Sequence, residues 1–213
     1  MLVIFKKELV YVALNQVFLS MSAVLIVVVL AHFTSQETFG EIRYLIAILT
    51  ILSFWSLPGI SLVLNQEASS LTRRELSSLI FTQFHWGLFA LCGALIFAGF
   101  HTYRGNAALG EAFVVGAILT PIANLYLVPG LVLAGLKKFG LKVLCDTTII
   151  LTTLGGALIG VHLFTEPSLI MLSYFGAQSI ATLAALSLTA LLLPHKTQNS
   201  VRTLLLPPDY VRR

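Results

Sequence analysis

Residues 10–33 read VYVALNQVFLSMSAVLIVVVLAHF, a run of 24 residues without a charged side chain. A helix rises about 1.5 Å per residue, so a run of this length covers the roughly 30 Å hydrocarbon core of a bilayer. The run follows Lys6 and Lys7 but is too long for the apolar part of a signal peptide, and no clear cleavage site accompanies it. We therefore predict a retained first membrane span.

Similar apolar runs recur along the rest of the chain. Hydrophobic residues make up 57% of the 213 residues and charged residues 10%, whereas roughly a quarter of a soluble domain is charged. This composition excludes a water-soluble fold, and we predict an all-α, integral membrane helical bundle. Its six predicted spans are about Val10–Phe33, Arg43–Leu64, Leu79–Phe100, Ala112–Leu133, Leu144–Phe164 and Leu169–Leu193.

Basic residues predict the orientation of this bundle. If the N-terminus is inside, all of the 13 Lys and Arg residues except Arg43 and Arg104 fall in cytoplasmic segments, as the positive-inside rule requires. We predict that both termini are cytoplasmic (N-in, C-in) and that the protein is a multi-pass protein of the bilayer. Topology and attraction to anionic inner-leaflet lipid account for the net charge of +4, so no nucleic-acid partner is predicted.

The chain is predicted to form one transmembrane domain, residues 1–195, followed by a basic cytoplasmic tail, residues 196–213. In this tail Pro207 and Pro208 prevent a continuous helix. The favoured interpretation is a short interfacial segment on the inner leaflet. The alternative is the start of a connection to a further segment.

No catalytic constellation emerges from the sequence. A CDP-alcohol phosphotransferase would need a cluster of aspartates, whereas Asp146 is the only aspartate in the predicted spans, and neither a Walker motif nor HExxH occurs. Cys92 and Cys145 belong to no CxxC or Cys/His ligand spacing. We predict that the protein is not an enzyme and holds no metal and no cofactor.

Four polar residues are candidates for a substrate cavity. Asn15, Asn124 and Gln178 lie in predicted spans 1, 4 and 6, where polar groups face other helices or a water-filled cavity. Hydrogen bonding between helices is the commoner explanation for each of them. Arg43 begins predicted span 2, where its side chain either reaches the headgroups, the commoner case, or turns its guanidinium towards phosphate or an acidic sugar.

Other features of the spans have structural explanations. Asp146 lies four residues after Lys142, which predicts an ion pair on one helix face. Gly156-x-x-x-Gly160 permits a close helix contact. Helix-breaking residues free backbone carbonyls, which transporters use as bending points and which many passive bundles also contain. The helix-break candidates are Pro58 and Gly59 in span 2, and Pro121, Pro129 and Gly130 in span 4.

Several short motifs resemble those of one transporter family. FGEIRY at residues 39–44 precedes an apolar helix, LPGISLVL follows at residues 57–64, and LAGLKKF occupies residues 133–139. With Asn15 near the start of span 1, these motifs resemble the polysaccharide biosynthesis membrane proteins, the Wzx-type O-antigen flippases of the MOP superfamily. Members of that family contain two six-helix lobes, and this chain resembles the N-terminal lobe alone.

The resemblance implies a function in transport. The cargo would be an undecaprenyl-pyrophosphate-linked oligosaccharide, moved from the inner to the outer leaflet of the bacterial inner membrane by alternating access. A second six-helix lobe, or a second copy of this chain in a homodimer, would complete the transporter, since an even number of spans gives a parallel repeat.

Two other functions stay open at this point. A non-transporting six-helix scaffold subunit, or a truncated remnant, would use its polar residues in separate helix contacts. A multidrug exporter of the antiporter type would carry an acidic residue deep in span 1, and residues 10–33 contain none. The transporter and the scaffold are separated by whether the polar candidates converge on one solvent-reachable cleft.

Overall fold

The structure is a computed structural model that describes residues 2–54, 64 and 71–193, with the backbone alone for residues 2–9 and 14. Across these residues the chain is helical and has no β-strand. A short 3-10 helix, Asn124–Tyr126, follows the fourth α-helix. The α-helices are α1 (Leu2–Phe33), α2 (Gln36–Ser53), α3 (Arg73–Tyr103), α4 (Ala107–Ala123), α5 (Leu127–Gly135), α6 (Phe139–Leu163) and α7 (Pro167–Leu192).

Five helical stretches in the described part of the chain are long and apolar enough to cross a bilayer. They are Val10–Phe33, Arg73–Tyr103, Ala107–Gly135, Phe139–Leu163 and Pro167–Leu192. The prediction of an all-α protein built from several membrane-length helices is confirmed at this level.

The predicted second span, Arg43–Leu64, differs from the helix in its position. Helix α2 begins at Gln36 rather than at Arg43, so that Arg43 lies in its second turn instead of at its start. Apart from Leu64, the part of this span after residue 54 lies outside the described residues. The predicted tail, residues 196–213, also lies outside them.

Polar caps explain why the helices begin before the apolar runs do. Ser35 Oγ accepts a hydrogen bond from the Thr38 backbone N–H at 3.1 Å and starts α2. Thr72 and Glu75 form a reciprocal capping box at the start of α3. These side chains satisfy backbone N–H groups that the first helical turn leaves without partners, so each helix extends beyond its apolar core.

Helix α4 lies at the centre of the bundle. It packs mainly against α3 and α7, and α2 contacts both α3 and α4. Helix α6 packs on α7, and α1 packs on α6. Although α1 and α2 are joined by only Thr34 and Ser35, they share few contacts, so they diverge from their common end.

Two glycines allow α6 and α7 to approach closely. A Cβ at Gly156 would lie 2.5 Å from the backbone carbonyl oxygen of Ser173. At Gly160 it would lie 3.2 Å from that of Ile170. The close contact predicted from Gly156-x-x-x-Gly160 is therefore confirmed, and its partner is α7.

Hydrogen bonds show which helix ends share a face of the bundle. Arg73 donates to the carbonyl oxygens of Leu191 at 2.9 Å and Leu193 at 3.1 Å, where the cation also stabilises the C-terminus of α7. At the opposite end, Asn106 Nδ2 donates to Glu41 Oε1 at 2.7 Å. Ends predicted to lie on the same side of the membrane thus lie together, while the N-in, C-in orientation itself stays a prediction.

Candidate functional site

Two polar side chains, those of Lys142 and Asn15, meet at the carboxylate of Asp146. Lys142 and Asp146 are one turn apart on α6 and form an ion pair, with side chains 22% and 13% exposed. From α1, Asn15 Nδ2 donates a hydrogen bond to Asp146 Oδ2 at 2.8 Å. The predicted ion pair between Lys142 and Asp146 is confirmed. The bond from Asn15, which joins α1 to α6, is new information from the structure.

Two oxygen atoms of this cluster accept no hydrogen bond from any described residue. One is Asn15 Oδ1, on a side chain that is only 5% exposed. The other is Asp146 Oδ1, because both donors of the cluster bond to Oδ2. Buried acceptors nearly always have a donor. Asn15 Oδ1 is therefore the acceptor that a hydrogen-bond donor on a ligand would satisfy.

Gly130 on α5 provides the space in which this carboxylate lies. A Cβ at Gly130 would be 2.8 Å from Asp146 Oδ1 and 3.5 Å from Lys142 Nζ. Pro129 precedes it, and both residues are buried. One of the predicted helix-break residues, Gly130, thus lies beside the cluster.

The structure divides predicted span 4 into two helices. Helix α4 ends at Ala123, and the 3-10 helix Asn124–Tyr126 leads into α5. Pro121 and Pro129 flank this change, and neither has a backbone N–H for the preceding turn. Asn124 Nδ2 donates to Ser53 Oγ at 2.7 Å. Asn124 therefore joins the broken span to the end of α2 and forms no hydrogen bond with Asp146.

A cleft of about 100 Å³ adjoins the cluster where α1, α5 and α6 meet. The polar groups of Lys142 and Asp146 lie in its wall beside Gly130 and Tyr126. The rest of the wall is aliphatic: Leu19, Leu127, Leu131, Ile149 and Ile150. Such a cleft suits an alkyl chain more than a sugar.

The remaining candidates lie elsewhere. Arg43 is exposed on α2, and Gln178 is half-buried on α7; neither forms a hydrogen bond or an ion pair with a described residue. Pro58 and Gly59 lie outside the described residues.

The structure thus brings some candidates together and separates others. Asn15 and Gly130 join the Asp146 cluster, whereas Arg43, Asn124 and Gln178 do not. Sequence reasoning assigned Asp146 only a structural role, as partner of Lys142, and did not single out Tyr126. A signal was present, because Asn15 and Asp146 both lie near the inner ends of their predicted spans.

Comparisons with protein-family models, with curated proteins and with solved structures each found no match to this chain. The likeness to Wzx-type flippases therefore rests on the motifs quoted above. In the part of the chain that the structure describes, no group of three or more His, Cys, Asp or Glu side chains could hold a metal ion.

Proposed function

We propose that the chain is a multi-pass protein of the bacterial inner membrane and forms one lobe of a flippase for lipid-linked oligosaccharides. The observation that carries this proposal is the Asp146 cluster, which lies among apolar helices beside an aliphatic cleft. Ionisable groups at membrane depth are rare and mark substrate or ion pathways. Polar acceptors beside a space for an alkyl chain match a cargo that has a sugar end and a lipid end.

The connections of α1 support movement of this helix. Helix α1 packs on α6, shares few contacts with α2, and exposes most of its surface. The broken span between α4 and α5 lies beside the same cluster and adds a bending point. Alternating access requires helices that move relative to a fixed site, and these are the helices on which such movement would depend.

A second six-helix lobe would complete the transporter. That lobe is either a separate polypeptide or a second copy of this chain, and the cargo by resemblance is an undecaprenyl-pyrophosphate-linked repeat unit of a polysaccharide or O-antigen.

A non-transporting scaffold subunit is the second candidate, and one set of observations favours it. Asn124 bonds to Ser53 in a contact between α2 and the broken span, and Arg43 and Gln178 lie apart from Asp146. Polar residues that are dispersed in this way are typical of helices that pack with one another without lining a shared cavity.

Deletion of the gene tests the transporter directly. Lipid-linked repeat units should accumulate on the inner leaflet, and surface polysaccharide should fall. Unchanged surface polysaccharide would count heavily against the proposal. If the polysaccharide is unchanged and a partner protein disappears from the membrane, the scaffold is favoured.

Complementation of the deletion strain with variants separates an effect on the transport site from an effect on folding. Asp146→Asn should lower export at least about tenfold, equivalent to about 1.4 kcal/mol in barrier height, at equal protein level. Glu111→Gln makes the same chemical change at an exposed acid near the start of α4 and should restore full export. Equal export by the two variants would remove Asp146 from the transport site.

A further inference from the structure

The cleft beside Asp146 leads towards the loop between α5 and α6. Its lining extends from Ile150 to Lys142 along α6, a distance of about 12 Å at 1.5 Å per residue. Lys138 is one turn beyond Lys142, at the start of α6. The wall of the cleft thus begins at Lys142, roughly one helical turn from the loop, and its aliphatic residues on α6, Ile149 and Ile150, lie beyond Asp146.

The loop supplies two cations that no described group neutralises. Lys137 and Lys138 are exposed and form no ion pair with a described residue, whereas Lys142 is paired with Asp146. Pairing with Lys142 and the hydrogen bond from Asn15 offset the charge of Asp146. The net field at the loop end of the cleft is therefore positive, while the cleft itself is apolar.

We infer that this cleft binds one acyl chain of an anionic phospholipid, whose phosphate lies at Lys137 and Lys138. Charge complementarity selects the headgroup, because basic pockets between helices on the cytoplasmic side bind anionic headgroups. The aliphatic wall accepts the chain, and the mouth is open because Leu127 is 52% exposed. This site rests on the membrane placement of the proposed function, and its acyl chain lies in the cleft that would also take the lipid end of the cargo.

Brominated lipids that quench tryptophan fluorescence test the site in vesicles. The native Trp55 and Trp86 are first replaced by Phe, and Leu127→Trp then places a single reporter at the mouth of the cleft. Phe81→Trp is the matched control, because Phe81 is 64% exposed and lies eight residues from the start of α3, at a comparable depth. The quenchers are dibrominated phosphatidylglycerol and dibrominated phosphatidylcholine, each diluted into unbrominated phosphatidylcholine.

At equal mole fraction, brominated phosphatidylglycerol should quench the reporter at position 127 at least about fivefold more effectively than brominated phosphatidylcholine. The reporter at position 81 should respond equally to both. Equal responses at both positions would overturn the lipid site while leaving membrane insertion intact. If neither lipid quenches either reporter, insertion fails, and the site and the proposed function fail with it.

Charge variants test the headgroup contact. Lys138→Gln, and separately Lys137→Asn, should each weaken the phosphatidylglycerol preference about fivefold, the ratio that corresponds to about 1 kcal/mol per Lys at a membrane surface. Arg74→Gln removes an exposed basic residue near the start of α3 and should leave the preference unchanged. An equal loss with Arg74→Gln would show general surface attraction and overturn the specific site.

Discussion

Asp146 accepts hydrogen bonds from side chains on α1 and α6 and lies against the backbone of α5. The consecutive helices α5 and α6 and the distant α1 therefore meet at one carboxylate. Its pairing with Lys142 was predictable, because residues four apart on a helix are neighbours. Its bond to Asn15 joins positions 131 residues apart. Such a pairing depends on how α1 packs, which no local pattern determines.

Removal of the carboxylate should leave an unpaired ammonium in the bundle. We expect Asp146→Leu to lower the free energy of unfolding by about 2 kcal/mol, since breaking a buried pair leaves one charge uncompensated. Adding Lys142→Leu should recover about 1 kcal/mol, although one more polar group has been removed. Chemical unfolding in detergent micelles measures both values. If the losses in free energy of unfolding from the two substitutions simply add, the unpaired ammonium of Lys142 costs nothing. That result would show that Lys142 reaches the headgroups when its partner is absent.

The pairing of α6 with α7 shows how an element finds its neighbour. The sequence indicated a close contact through Gly156 and Gly160 but not its partner, because any helix with small residues can fill such a groove. The broken span between α4 and α5 was likewise predicted only in part. Pro121 and Pro129 predicted a break, whereas the 3-10 helix at Asn124–Tyr126 depends on tertiary packing.

Two adjacent glycines provide a matched test of this contact. Gly156→Ala should destabilise the protein by about 2 kcal/mol, because its Cβ would meet the backbone of α7. Gly155→Ala should be neutral or stabilise by up to about 1 kcal/mol, since nothing lies within 4 Å of its Cβ. Thermal unfolding of the purified variants checks the difference. Similar unfolding temperatures for the two variants would mean that α6 and α7 are further apart than described.

Helices α3 and α5 end in the same way but with different residues. Each has a 6→1 and a 5→2 backbone hydrogen bond around a residue of positive φ: Gly105 at 90° and Lys137 at 57°. Glycine suits this conformation and lysine does not. We expect Lys137→Gly to stabilise the protein by about 0.5 kcal/mol and Gly105→Ala to destabilise it by about 1 kcal/mol. Unfolding in denaturant measures both, and a loss of stability with Lys137→Gly would contradict the described turn.

The bundle as a whole was largely predictable, because apolar runs of membrane length are a strong signal. The order of helices around α4 was not, since six apolar helices can pack in many ways and lipid does not choose among them. The charges of basic residues such as Lys137 indicate a side of the membrane, whereas hydrogen bonds such as those of Arg73 indicate only which helix ends lie together.

Labelling of single cysteines tests the orientation. In a chain with Cys92→Ala and Cys145→Ala, Glu111→Cys should react with a membrane-impermeant maleimide on intact cells, because it lies at the predicted outer face. Lys138→Cys should react only after permeabilisation. If Lys138→Cys reacts on intact cells, the predicted orientation is reversed, and the inner-leaflet lipid site is excluded.

The bond between Asn15 and Asp146 also has a consequence for biosynthesis. A ribosome that adds about 5 to 20 residues per second needs about 7 to 26 s to make the 131 residues between these positions. During that interval α1 enters the bilayer without its polar partner. It must stay inserted by its own apolarity, and its stretch Val10–Phe33 has a mean hydropathy of 2.3, the highest of the five membrane-length stretches in the described part of the chain. Asn15 is therefore tolerated early in synthesis because the remainder of α1 is so strongly lipid-soluble.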